Sequence, residues 1–426
     1  MSLPTIRQEG DSLVFEWDIG PARVQAEVEE VHHESSGWHA EIQWLNLSDE
    51  VRPLISAWKH INLSSPTTVK SHAKSLQEIT GFAASWDQMI EQIAARGIAD
   101  KKKGQEFETI GGARILLDRI YRLAKLLEEN QITILFGEGE SCKSTLALAI
   151  ALSVQTGVPL LGLEPLQGNV LYLDWETDGD EHHRRLAALW HGLSEVDDVP
   201  EIPYRRMEQP LVHDLGVVKR FVSQNSTRLV IIDSAGFAMG REPEKNDSAI
   251  QLLTAARQLQ TTILCLDHES KDDTQKEPNK RRAPFGGIYK INMARSVYEI
   301  RAVPTETRQE HTNLISTALY HTKSNNGRKQ PVRGYRITFD ETEDKTLIAQ
   351  SAVADVPELE AGMRPIDRLR NCLKRGYLPV HRVVELTNLK ENYVRATFSD
   401  GVRRGTFRKN EKGEYGLPSL FDEDSM

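Results

Sequence analysis

The sequence predicts an α/β protein whose central region is a parallel sheet with helices on both faces, preceded by a small α+β unit and followed by a basic helical module. Three observations carry this expectation. Residues 109–350 alternate short β-rich runs with helical patterns, the order that lays strands side by side and covers them with helices. Within that region one apolar run passes through a glycine-bearing turn directly into a helix start. Two further apolar runs stop abruptly at a carboxylate.

The 426 residues exceed one ordinary core, so roughly two to four domains are expected. A hydrophobic fraction of 39% with 27% charged residues is the balance of a soluble globular chain, not of a membrane or disordered one. No stretch approaches the ~18 apolar residues of a membrane span, and residues 1–10 lack the basic-then-apolar order of a signal peptide. A cytoplasmic location without a membrane partner is therefore expected. Cys142, Cys265 and Cys372 form no C-x-x-C pair, which leaves reduced thiols rather than a zinc site or a disulfide framework. The net charge is −9, yet residues 364–416 hold 13 Lys and Arg against 6 Asp and Glu, a local balance of +7. A basic end on an acidic body points to contact with a polyanion.

Residues 1–100 are expected to form the α+β unit. Val24, Ala26 and Val28 alternate with polar residues, as do Trp38, Ala40, Ile42 and Trp44, with a hairpin turn at Ser35-Ser36-Gly37. Ser65 and Pro66 then cap a helix over 67–79, and a second helical pattern covers 86–96. His32, His33 and His39 are expected to be surface histidines rather than metal ligands, because adjacent strand residues point to opposite faces. Residues 101–108 and 353–362 read as linkers, and 422–426 as an acidic tail.

The β runs of the central region are 132–136, 170–174, 229–233, 262–267, 295–301 and 314–321. Residues 131–145, QITILFGEGESCKST, fit G-x-x-x-x-G-K-[ST] at Gly137, Lys143 and Ser144, with Cys142 where the pattern has glycine. A strand delivers the chain to a turn whose N–H groups, with the positive end of the next helix, cradle phosphates. Gly137, Gly139, Ser141, Cys142, Lys143, Ser144 and Thr145 are thus the expected nucleotide-binding residues, ATP the expected ligand, and Mg²⁺ the expected ion. Lys143 adds a point charge and Ser144 a hydroxyl for Mg²⁺. Cysteine at a position needing positive φ costs on the order of 1–2 kcal/mol. Glu138 and Glu140 would repel phosphate unless they face away.

In a parallel sheet the strand ends share one rim with the phosphate turn. Glu176, after VLYLDW, is placed there to orient or deprotonate an attacking water, and Asp233, closing LVIID, to hold Mg²⁺. His268, after ILCLD, is placed to sense the γ-phosphate or relay its state. The charged segment that follows offers Lys271, Lys276, Lys280, Arg281 and Arg282 as cations for a channel.

With these motifs in this order, residues 109–350 resemble the RecA-type P-loop ATPases and, within them, hexameric replicative helicases of the plasmid RepA kind. The resembling pieces are residues 137–145, the strands with Glu176 and Asp233, LDHESK with His268, PFGG with NMARS, and HTKSNNG with Lys323. The resemblance implies a homo-oligomer, hexamer favoured, with nucleotide between subunits, Glu176 as base, and Lys323 or Arg295 acting in trans as a finger. Residues 363–418 resemble a winged helix-turn-helix in which Lys390, Asn392 and Arg395 on the third helix and Arg408 and Lys409 on the wing would meet DNA. The leading expectation is an ATP-hydrolysing DNA motor, with single-stranded DNA through the ring and duplex at the winged helix. The alternative is a nucleotide-switched DNA-binding regulator or defence component with weak turnover.

Overall fold

The computed structural model describes residues 3–9, 12–20, 22–49, 54–81, 83–103, 118–194, 198–240, 246–270, 282–285, 288–305 and 311–418. The chain divides into two compact units, one of Met1–Asp118 with Gly216–Asn225, the other of Arg119–Leu215 with Ser226–Met426. No helix among the described residues is long and apolar enough to cross a membrane.

In the first unit β1 (Thr5–Glu9), β2 (Ser12–Ile19), β3 (Ala22–Glu34), β4 (Gly37–Asn46) and β5 (Leu54–Asn62) form an antiparallel sheet in sequence order. The expected hairpin is β3–β4. The strands β1, β2 and β5 were not anticipated; of these β1 is exposed throughout and carries no apolar alternation. Phe15, Trp17, Val24, Ala26, Ile42 and Trp44 supply one apolar face. Two helices, α1 (Pro66–Thr80) and α2 (Trp86–Lys103), cover it with Leu76, Trp86, Met89, Ile90 and Ile93. The Ser65 hydroxyl accepts the Thr68 N–H, and Pro66 opens α1 where a missing N–H costs nothing. Lys101, Lys102 and Lys103 belong to the last turn of α2 rather than to a linker, where cations complement the helix dipole. Residues 104–108 lie outside the described residues.

The second unit is built on a nine-stranded sheet. After a small ribbon of β6 (Tyr121–Leu123) and β7 (Leu127–Glu128), β8 (Ile132–Gly137) leads into α3 (Lys143–Thr156). Then follow β9 (Val170–Asp174), α4 (Gly179–Leu193), β10 (Tyr204–Arg206), α5 (Leu215–Gln224, which from Gly216 onward belongs to the first unit), β11 (Leu229–Asp233), α6 (Ala235–Ala238), α7 (Asn246–Gln258) and β12 (Thr262–His268). The helix α8 (Ile288–Met293) precedes β13 (Ser296–Thr305), β14 (Thr312–Ser324), β15 (Arg333–Asp340) and β16 (Lys345–Ser351).

The strand order is β10-β9-β11-β12-β8-β13-β14-β15-β16, parallel from β10 to β13 and antiparallel from β13 to β16. The sheet is therefore mixed, not wholly parallel. Its antiparallel extension lets strands follow one another through short turns without a crossover helix, so alternation of strand and helix fails as a guide there. β8 sits in the middle, and α3, buried from Leu146 to Val154, packs against the sheet in the way a helix apolar on all sides must.

Residues 353–362 do not form an extended linker. They make a short 3-10 turn and α9 (Pro357–Ala361), whose Leu359 packs with Val353, Ala318 and Tyr320. Beyond them lie α10 (Pro365–Cys372), α11 (Val380–Thr387), α12 (Glu391–Arg403) and the paired β17 (Arg408–Lys409) and β18 (Tyr415–Gly416). Leu369, Leu373, Val383, Val394, Phe398 and Phe407 close a small core among these elements. The acidic tail at 422–426 lies outside the described residues.

Candidate nucleotide site

The phosphate turn joins the central strand to a buried helix, so its backbone is fixed at both ends. A Cβ on Gly137 would stand 2.4 Å from the Ile300 carbonyl oxygen on β13, so close packing between strands demands glycine there. Gly139 faces open space and is exposed. Ser141 is buried and its hydroxyl donates to the Glu138 carbonyl at 2.7 Å. Cys142 has φ 64° and ψ 24°, the left-handed conformation that glycine takes freely. Its side chain turns toward the apolar core and its thiol is pushed up to about 11 by burial, which makes it a poor nucleophile at neutral pH.

Lys143 is buried at the first position of α3. Its ammonium donates to the carbonyls of Gly137 at 3.1 Å and Glu138 at 2.6 Å, so it lies across the turn that it would share with phosphate. Burial depresses its pKa, and the carboxylates of Asp233, Glu176 and Asp267 oppose that shift. Thr145, the next residue but one on α3, is half-buried. Glu138 is exposed but not free. It pairs with Arg282 at 3.0 Å, and Arg282 also reaches Glu269 at 3.1 Å, so an arginine expected to line a channel instead neutralises acids at the strand ends. With its side chain 11% exposed, Arg282 cannot serve as a free channel cation. Lys271, Lys276, Lys280 and Arg281 lie outside the described residues, as do Gly286 and Gly287.

Asp233 ends β11 beside β9 and is buried. It accepts a hydrogen bond from the Tyr172 hydroxyl at 2.7 Å and one from Ser144. Burial raises its pKa, so a cation beside it would offset the cost of its charge. A Ser144 hydroxyl on a desolvated carboxylate is an oxygen donor set that suits Mg²⁺, a hard cation. Glu176 accepts from Ser234 and from His268 Nε2 at 3.1 Å, and the His268 bond holds its carboxyl below the usual range. The structure thus brings Lys143, Ser144, Asp233, Glu176 and His268 to one rim.

Sequence reasoning missed the residues that hold these groups. Asp174 is fully buried and accepts the N–H groups of Glu176 at 3.0 Å and Thr177 at 2.9 Å, with His182 at 3.1 Å. Burial works to raise its pKa, but these bonds outweigh it and keep the carboxylate ionised. Asp267 and Lys290 form an ion pair at 2.7 Å with both side chains 1% exposed. The only sequence signal for either was an acid at the end of an apolar strand, the same signal that found Asp233.

Arg295 and Lys323 stand elsewhere. The Arg295 N–H donates to the Ile132 carbonyl, so Arg295 sits at the opposite end of β8 from the phosphate turn, about 15 Å or more along the strand and beyond reach of the chain's own site. Lys323 lies level with Val297 and Ile134, and its ammonium is turned toward that same end. The Lys323 ammonium donates to the carbonyls of Ile291, Asn292 at 3.1 Å and Ala294 at 2.7 Å, capping α8. The Arg295 side chain is exposed and has no hydrogen-bond or ion-pair partner among the described residues. At the C-terminal end Lys390, Asn392, Arg395, Arg408 and Lys409 are all exposed, with Arg395 bonded to Glu391 at 2.8 Å and Lys409 over the Tyr415 ring.

The phosphate turn, the acids at neighbouring strand ends and the parallel-rich sheet fit a RecA-like P-loop core. Residues 118–274 match a family model described as an AAA domain, a span that holds the turn, Glu176, Asp233 and His268. That match supports a P-loop ATPase. Among solved structures, a KaiC-like protein from the hyperthermophilic archaeon Pyrococcus horikoshii OT3 is similar at 13% identity and a TM-score of 0.37, over 55% of this chain and 100% of that one. No curated protein matches the chain in sequence.

Proposed function

We propose that the chain binds and hydrolyses ATP and works as an oligomeric DNA motor of the RepA-like helicase kind, hexamer favoured. The observation that carries this reading is the convergence of Lys143, Ser144, Asp233 and Glu176 at one rim of the sheet. Mg²⁺ held by Ser144 and Asp233 would neutralise charge on the phosphates. Lys143 leaves the carbonyls it now caps to meet phosphate oxygens, and the turn's N–H groups orient them. Glu176, kept ionised by His268 and aimed by Asp174 through its backbone, accepts a proton from water.

A role in trans is supported by the distance of Arg295 and Lys323 from the chain's own phosphate turn. Of the two, Arg295 is the better supported finger, because Lys323 would first have to give up three carbonyls. DNA binding is supported by exposed Lys390, Asn392, Arg395, Arg408 and Lys409 on a module of balance +7, read as a winged helix-turn-helix for duplex DNA. The test is ATP turnover with and without single-stranded DNA, beside particle counting in a nonhydrolysable nucleotide. Stimulation by DNA and closed rings are expected; absence of stimulation removes the motor reading.

The left-handed Cys142 favours a second reading, a nucleotide-switched DNA-binding regulator or defence component whose strained turn slows hydrolysis. It predicts ATP-dependent duplex binding without measurable turnover.

A further inference from the structure

Three histidines come together in the first unit, on one face of the sheet and far from any apolar requirement. His32 on β3 lies opposite His39 on β4, and His60 on β5 is two residues from Asn62, the partner of His39. Their rings lie 4.8–5.8 Å apart. His33 goes to the other face and packs edge-on against Trp38. The argument that neighbouring strand residues diverge separates His32 from His33, but it says nothing of neighbours across the sheet. His39 is buried, not a surface residue.

We propose that His32, Glu34 and His60 form a binding site for a borderline divalent metal ion of the Zn²⁺ class. One ligand atom from each lies within 4.8 Å of the other two, and their side chains are 41%, 48% and 47% exposed, which leaves a position for water. The supporting bonds are those that such a site needs. His32 Nδ1 faces the Glu30 carbonyl at 2.6 Å, so it carries the proton and leaves the Nε2 lone pair toward Glu34 at 2.9 Å. A lone pair against a carboxylate oxygen is repulsive unless a proton or a cation lies between them. His60 is braced on both nitrogens, by His39 Nδ1 at 2.9 Å and by Glu41 at 3.4 Å, so whichever nitrogen takes the ion, the other keeps a partner. Two imidazoles and one carboxylate select Zn²⁺, Ni²⁺ or Cu²⁺ over Mg²⁺.

Calorimetric titration of Zn²⁺ into the full untagged chain, with excess Mg²⁺ present, tests this. One Zn²⁺ per chain is expected, and His32→Asn with His60→Asn should weaken it at least about tenfold. Co²⁺ in place of Zn²⁺ should show visible absorption bands that the same double variant loses. Equal binding by wild type and variant, or no binding by wild type, overturns the proposal. If the histidine variant unfolds, judged by its melting temperature in a chelator, Glu34→Gln decides: a tenfold loss supports the site and unchanged affinity refutes it.

Discussion

Cys142 holds a backbone conformation that costs a residue with a Cβ about 1–2 kcal/mol, and it recovers part of that by packing sulfur against the core. Cys142→Gly removes both terms, so its melting temperature should shift by no more than about 2–4 °C. Its hydrolysis should be preserved or raised, and a large loss would give the thiol a role that its burial does not support. Cys142→Ala keeps the strain and loses the sulfur, so it should be the less stable of the two by thermal denaturation. The glycine pattern made the position visible in the sequence, but its φ was not. Glu176 and Asp233 were legible because each ends an apolar run. Asp174 was not, because a strand that ends in Asp-Trp-Glu offers two acids, and only the backbone bonds to Glu176 and Thr177 tell the acid that holds the turn from the one proposed to act on water.

β12 and α8 are joined by a buried ion pair that no local pattern announces. Lys290→Met leaves Asp267 without its partner in a desolvated place, and should cost about 3–5 kcal/mol by chemical denaturation. Adding Asp267→Asn should restore most of that loss; a single variant as stable as wild type would contradict the pairing. In the first unit α1 carries His72, whose Nε2 accepts the Trp44 indole N–H at 3.1 Å. Burial, then the charge of Lys59, lower its pKa from 6.5 to about 4. The unfolded chain takes up this proton near pH 6.5 and the folded chain only near pH 4. Stability is therefore whole above pH 6.5 and falls as pH drops toward 4, by on the order of 3 kcal/mol. His72→Gln should flatten melting temperature against pH over that range, and an unchanged slope would contradict the assignment. Helix α1 itself was legible from its serine cap and proline. The antiparallel strands β15 and β16 were not, because their apolar residues are interrupted by polar ones and give no continuous apolar run of the kind that marks the parallel strands.

At the scale of the whole molecule, the parallel half of the sheet apart from its edge strand β10 could be read from its apolar runs, since buried strands carry continuous hydrophobic segments, whereas β10 is Tyr-Arg-Arg and carries none. The proposed finger in trans could not, because such a residue is defined by a neighbour. If Arg295 acts in trans, chains carrying Arg295→Ala and chains carrying Lys143→Ala should each be inactive alone. Mixed, they should regain part of the turnover, because some interfaces then pair an intact phosphate turn with an intact arginine; no recovery would contradict a shared site. The central claim is that one rim of the sheet binds ATP through Lys143 and hydrolyses it through Glu176. Nucleotide binding and turnover measured together for wild type, Lys143→Ala and Glu176→Gln test it most directly. Lys143→Ala should lose both, while Glu176→Gln should keep binding and lose about 10²–10⁴-fold in rate. Equal turnover by all three chains would contradict the account.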